Sequence, residues 1–203
     1  MSFLTFHQEA VLKHAKELCM HKNLIFKAYI PRRMSDGNMR LRPFRILDSS
    51  FINNSLRDKD ILKASNLKEP LSRSWFPFWW WMKRTYASLH CMEVNSKCIG
   101  FIGLYNLKPD RSAEMTLIIF DARHRHLSYG SRAFNIFTRF LKRYFSKIIV
   151  RVRTGNHASI AFWTKLGFRE LYTLKGIKVM SLHLRKLIDE KNSRCLSDEK
   201  FKS

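Results

Sequence analysis

Residues 123–134, RHRHLSYGSRAF, carry three arginines, two histidines and Gly130 directly after the apolar run MTLIIF (115–120). Where a strand turns into a helix through such a segment, free backbone N–H groups and the positive helix end face one point. That is the chemistry of an anion cradle, with Gly130 letting the backbone approach closely. A second helix start lies at Asn156, a residue type that caps from the side chain, with Ser159 three positions on. Cys19, Cys91, Cys98 and Cys195 show no metal-ligand spacing, and no metal is expected. Nothing near Cys91 or Cys98 suggests the paired base a thiol nucleophile needs, and His90 reads as a strand residue rather than a base.

Several elements must position these residues. Residues 1–38 form an extension, partly helical over FHQEAVLKHAKELCMHK, closed by Pro31 and the Asp36-Gly37 turn signal. A first strand is expected over 39–44, a helix capped by Asp48 over SSFINNSLR, and a second helix within about 72–87. In that helix Trp75, Trp79, Met82 and Tyr86 share a face and form the expected core stripe, and Trp80 and Trp81 are left for a pocket wall. SLHCMEV and KCIGFIGLYNL flank Asn95-Ser96 as a hairpin, and KPDR turns into the strand AEMTLIIF (113–120). A helix then runs to about Tyr144, followed by the strand KIIVRVRT, the helix HASIAFWTKL and a hairpin through Lys175-Gly176. This interleaving predicts an α/β (α+β) fold, a mixed and mostly antiparallel sheet of about seven strands with helices on both faces. The domain is expected over 39–187, and 188–203 is a charged tail.

Of the 203 residues, 38 are Lys or Arg and 16 Asp or Glu, a formal charge of +22 that favours anionic partners and says nothing of fold. Nine of the basic residues fall between Phe120 and Arg153 against the single acid Asp121. The most apolar run, WFPFWWWM, is too short to span a bilayer, and a cytoplasmic protein with reduced thiols is expected.

Two segments together resemble the GNAT N-acetyltransferase family. Arg125 through Gly130 is similar to its cofactor loop, Arg/Gln-x-x-Gly-x-Gly/Ala, with Ser128 at the middle glycine and His126 where a glycine often follows the arginine. NHASIAFWTKLGF (156–168) is similar to its second signature, Asn-x-x-Ser-x-x-x-Tyr/Trp-x-Lys-x-Gly-Phe. The start LRPF with Asp48 carries a looser likeness to the ribosomal-protein alanine acetyltransferase branch.

The resemblance implies a GNAT fold and acetyl-CoA as co-substrate. Its pyrophosphate would lie on Arg125, His126, Leu127, Ser128, Tyr129, Gly130 and Ser131, with Arg132 as a further phosphate contact. Its pantetheine arm would pair with the strand edge at Ile118, Ile119 and Phe120, which splays from Ile148–Val150. Asn156, Ser159, Phe162, Trp163 and Lys165 would complete the site. Glu114 is the candidate base. Trp163 stands where many members place a tyrosine that protonates the leaving thiolate, and an indole N–H is no acid. Tyr129, Tyr105 and Tyr172 are open candidates for that role. The implied reaction is acetyl transfer to a primary amine, a protein N-terminus or a small amine, by direct attack in a ternary complex. RNA or ribosome association is suggested by the charge, and a catalytically weak binding module is the alternative.

Overall fold

The computed structural model describes residues 31, 33–45, 47–64 and 72–184, so the expected helix in 1–30 and the charged tail lie outside the described residues. One eight-stranded sheet runs in the order β1-β2-β3-β4-β5-β6-β8-β7. Its strands are β1 (Met34–Asp36), β2 (Met39–Arg42), β3 (Ser88–Val94), β4 (Lys97–Tyr105), β5 (Ser112–Ile119), β6 (Lys147–Arg153), β7 (Arg169–Leu174) and β8 (Ile177–His183). Every pairing is antiparallel except β5 with β6. Three helices, α1 (Asp48–Ser55), α2 (Lys59–Ala64) and α3 (Phe76–Tyr86), sit between β2 and β3. Helix α4 (Tyr129–Leu141) connects β5 to β6, and α5 (His157–Lys165) follows β6.

Strand alternation divides the core in two. Ala113 and Met115 of β5 and Ile148, Val150 and Val152 of β6 face one cluster, which includes Phe134 and Phe137 of α4 and Trp163 of α5. On the opposite face Cys91, Phe101 and Phe120 pack with Ile52, Ile61, Phe76 and Trp80 from α1–α3. No side chain of β6, β7 or β8 belongs to that second cluster. Among the described residues helices therefore cover one end of that face and leave the β6–β8–β7 end open, with β7 exposed along its whole length. Among the described residues no helix is long and apolar enough to cross a membrane.

Four local expectations are corrected. The sheet starts at Met34, one hairpin before the expected first strand, and Gly37 turns that hairpin at φ +57°. This strand was hidden because MSD has no alternating pattern, and pairing with β2 is what makes it extended. Asp48 is the first residue of α1, not its cap; its carboxylate accepts from the Arg45 N–H (2.6 Å) and from Arg42. A separate helix, α2, follows the expected one. Among the described side chains of α3 Phe76 and Trp80 are buried and Phe78 and Trp81 exposed, as is Trp75 just before the helix; Met82 and Tyr86 of the expected stripe lie outside the described side chains. Phe44, entering from the end of β2, sets that rotation by meeting Trp80 edge to face at 4.7 Å.

Candidate active site

The β5–β6 ladder holds for three residue pairs, Ser112 with Lys147, Ala113 with Ile148 and Glu114 with Ile149, and then stops. Strand β5 stays paired to β4 as far as Ile119 with Gly100, so its other edge from Met115 onward has no strand partner among the described residues. The splay thus begins at Met115 on β5, ahead of the expected stretch, and at Val150 on β6, since Ile148 and Ile149 are still paired. A cavity of about 490 Å³ fills the fork, bounded by Thr116, Leu117 and Ile118 on β5 and by Arg151, Val152 and Arg153 on β6. Asn156, Ser159 and Trp163 close it from α5.

At the C-terminal end of β5 the chain makes a 3₁₀ turn (Ala122–His124) and enters α4 through the predicted cradle. Arg125 does not reach outward; it donates to the carbonyls of Ile119 (3.2 Å) and Phe120 (3.0 Å), pinning the loop to the strand end. His126 and Ser128 both have positive φ, +62° and +61°. The Ser128 hydroxyl makes no capping bond, which leaves the first-turn N–H groups of α4 without intrahelical acceptors. Gly130 is buried there, and a methyl at its Cα would stand 3.1 Å from the Phe162 ring. Leu127 is exposed. Arg132 turns away, bonding Asn38 (3.2 Å), the Asp36 carboxylate (3.3 Å) and the Asp36 carbonyl, so it secures the β1–β2 turn rather than a phosphate.

Serine in the left-handed region costs about 1–2 kcal/mol, offset in part by the extra unfolded-state entropy of glycine, about 0.5–1 kcal/mol. Ser128→Gly is expected to raise stability by about 0.5–1 kcal/mol, read as a higher urea midpoint with unchanged m-value. A lower midpoint would mean that the hydroxyl makes a contact worth more than the strain.

Asn156 caps α5 by accepting from the Ser159 N–H (3.1 Å) while also lining the cavity. Trp163 is buried among Phe162, Phe168 and Phe134 at ring separations of 4.9, 5.0 and 6.1 Å. Lys165 lies exposed in the last turn of α5, away from the cavity. Tyr129 also lies off the cavity, its ring 5.7 Å from the Arg132 guanidinium carbon.

Glu114 is 3% exposed, and its two oxygens accept from Nε and Nη2 of Arg151 at 3.0 and 3.1 Å. Across the ladder its partner is Tyr105. Burial, and then the Glu114 charge, push the Tyr105 phenol up to about 12. Tyr105 and Tyr172 both line the cavity.

The sequence matches the family model for the acetyltransferase (GNAT) domain over residues 38–169. The chain belongs to the GNAT family. Solved structures agree in fold. A domain from Methanocaldococcus jannaschii superposes with a TM-score of 0.65 at 19% identity, over 73% of this chain and 99% of the other. The spermidine N-acetyltransferase from Vibrio cholerae, solved with CoA and spermine, gives 0.63 at 19% identity over 75% and 99%. A GNAT-family acetyltransferase from Bacillus anthracis gives 0.65 at 14% identity over 75% and 99%. A comparison with curated protein sequences finds no significant match.

As a GNAT-type N-acetyltransferase the chain also has one tight group of potential metal ligands among its described residues, Asp48, Cys91 and Cys98, with donor atoms within 4.8 Å. Arg42 donates to both oxygens of Asp48 at 2.7 and 3.1 Å, and that guanidinium opposes a cation there. The neighbouring Cys98 sulfur and burial push the Cys91 thiol up, which makes it a poor ligand and a poor nucleophile. His90 is buried against Phe137, ring centroids 5.4 Å apart. Among the described residues of α3 none lines the cavity, so Trp80 and Trp81 do not wall it. Sequence reasoning did not place Arg151, Arg153 and Lys175 in the site. For the two arginines the signal was the alternation in KIIVRVRT, which sends both to the face opposite Val150 and Val152.

Proposed function

We propose that the protein moves an acetyl group from acetyl-CoA to a primary amine by direct attack in a ternary complex. The observation carrying this reading is the β5 edge left open after Glu114 beside a cavity, with the same strand running on through a short turn into the uncapped start of α4. Pantetheine amides extend that edge as a strand would. The pyrophosphate takes the first-turn N–H groups between Ser128 and Ser131, where the helix end is positive. A backbone N–H of β5 donates to the thioester oxygen as its charge develops.

The amine nitrogen attacks the thioester carbon, and the C–S bond breaks. One proton passes in net terms from nitrogen to sulfur. Tyr105 is the group we assign to that transfer, in preference to Tyr129, which lies off the cavity, and Trp163, which has no acidic proton. Glu114, fully engaged by Arg151, serves as the fixed counter-charge of that arginine rather than as the base. The amine enters neutral, because the cations around the cavity disfavour its ammonium form.

Ser131→Glu tests the cradle. A carboxylate in the first turn favours the helix, so folding is not at risk, but it repels the pyrophosphate. Calorimetry is expected to show acetyl-CoA affinity reduced at least about tenfold, roughly 1.4 kcal/mol, with no fall in Tm. Equal affinity in the variant, or no acetyl-CoA binding by the unmodified protein, would end the proposal.

A further inference from the structure

The cavity is lined by three cationic residues, Arg151, Arg153 and Lys175, and by no aspartate or glutamate. The acids nearest in the fold are already matched. Glu114 is buried behind Arg151, and Glu170 of β7 holds Lys178 at 2.5 Å and Thr173 at 2.8 Å. Arg151 spends two N–H groups on Glu114, yet its side chain remains 44% exposed on the cavity wall. Lys175 stands exposed at the tip of the β7–β8 hairpin, on the uncovered face of the sheet.

These cations are not the phosphate cradle. Residues 125–131, at the start of α4, contribute nothing to the lining. The pantetheine arm is uncharged, so under the acetyl-transfer reading the cationic wall faces the acceptor.

We infer that the acceptor is a small amine bearing an anionic group, carboxylate or phosphate, close to the reacting nitrogen. This rests on the acetyl-transfer reading and narrows it. Bringing a polycation into a chamber with three cations and no free carboxylate is unfavourable, whereas an anion there meets fixed donors. The same field keeps the attacking amine neutral, so one set of charges both selects the substrate and readies it. Tyr172 and Leu174, lining the cavity and largely exposed, supply an apolar wall for the rest of the acceptor. The cavity volume of about 490 Å³ accommodates a small molecule beside the pantetheine arm.

The test is CoA thiol release from acetyl-CoA with L-phenylalanine, its methyl ester, phosphoethanolamine and spermidine. The expected KM for the amino acid or the aminophosphate is at least tenfold below those for the ester and spermidine, and which of the two wins identifies the anion. Lys175→Glu, a change on an exposed turn, is expected to raise the KM for the anionic acceptor at least tenfold while the Kd for acetyl-CoA holds. Arg153→Gln is expected to act in the same direction. Spermidine or the ester performing as well as the anionic amines would overturn the inference. So would a Lys175→Glu variant that loses acetyl-CoA affinity and keeps its acceptor KM, since that assigns the cation to the cofactor. Should no amine release thiol, the transfer reading falls. The charge preference is then decided by ligand-observed NMR on CoA-saturated protein, where L-phenylalanine must bind and its ester must not.

Discussion

Tyr105→Phe is expected to lower kcat for acetyl transfer by about 10²–10⁴-fold, the usual worth of a positioned proton donor, while acetyl-CoA affinity stays unchanged. The phenol stands opposite Glu114 on the neighbouring strand and lines the fork of the sheet. With its pKa pushed up to about 12 by burial and by the Glu114 charge, it stays protonated throughout any practical assay. That value also constrains the mechanism. A phenol near 12 is too weak to protonate outright a thiolate whose thiol titrates near about 8.5. It must give up its proton as it receives the one shed by the attacking nitrogen, a relay rather than a donation. Phenylalanine keeps the ring and breaks the relay. A kcat within threefold of the unmodified enzyme, measured at saturating acetyl-CoA, would remove Tyr105 from the chemistry.

Arg42→Ala is expected to cost about 3–5 kcal/mol of stability, because it strands two buried carboxylates. Arg42 donates to Glu93 at 2.5 Å and to Asp48 at 2.7 Å, and all three side chains are less than a tenth exposed. The group joins β2, β3 and the start of α1. Burial alone would push the Asp48 carboxyl up; the Arg42 hydrogen bond, with help from the Arg45 N–H, outweighs it and holds the group below its ordinary value. A depressed folded-state pKa contributes stability that is present above the unfolded pKa, about 3.9, and lost as pH falls through the folded one. The unmodified protein should therefore lose this contribution below about pH 4. The variant should be relatively less impaired in acid, where the stranded carboxyls take up protons. Denaturation at pH 7 and at about pH 3, below the ordinary carboxyl value, checks both points. A loss under about 1 kcal/mol at neutral pH would show that water reaches the pair.

Much of the site was legible because its parts are local in the chain. The strand into the cradle, helix α4, strand β6 and the Asn156 cap follow one another from 112 to 165, each marked by its own periodicity or cap. Ser128 was readable as the departure from glycine, and its φ of +61° gives the departure a cost. Less legible was the rotation of α3, since its crowded aromatics fit more than one inward face; Phe44, about thirty residues earlier, makes the choice.

The sequence by itself determined the family, the order of the main strands and the start of helix α4, because short-range patterns of residue type suffice for them. Tertiary structure decided which charges meet. Glu114 faces Arg151, 37 residues away, and Arg42 joins Glu93, 51 residues away, through strand register rather than through any local signal. The same register leaves Arg151, Arg153 and Lys175 around one cavity. Whether a carboxylate is a free base or a buried counter-ion depends on what the neighbouring strands bring alongside it, and no local pattern of residues contains that information.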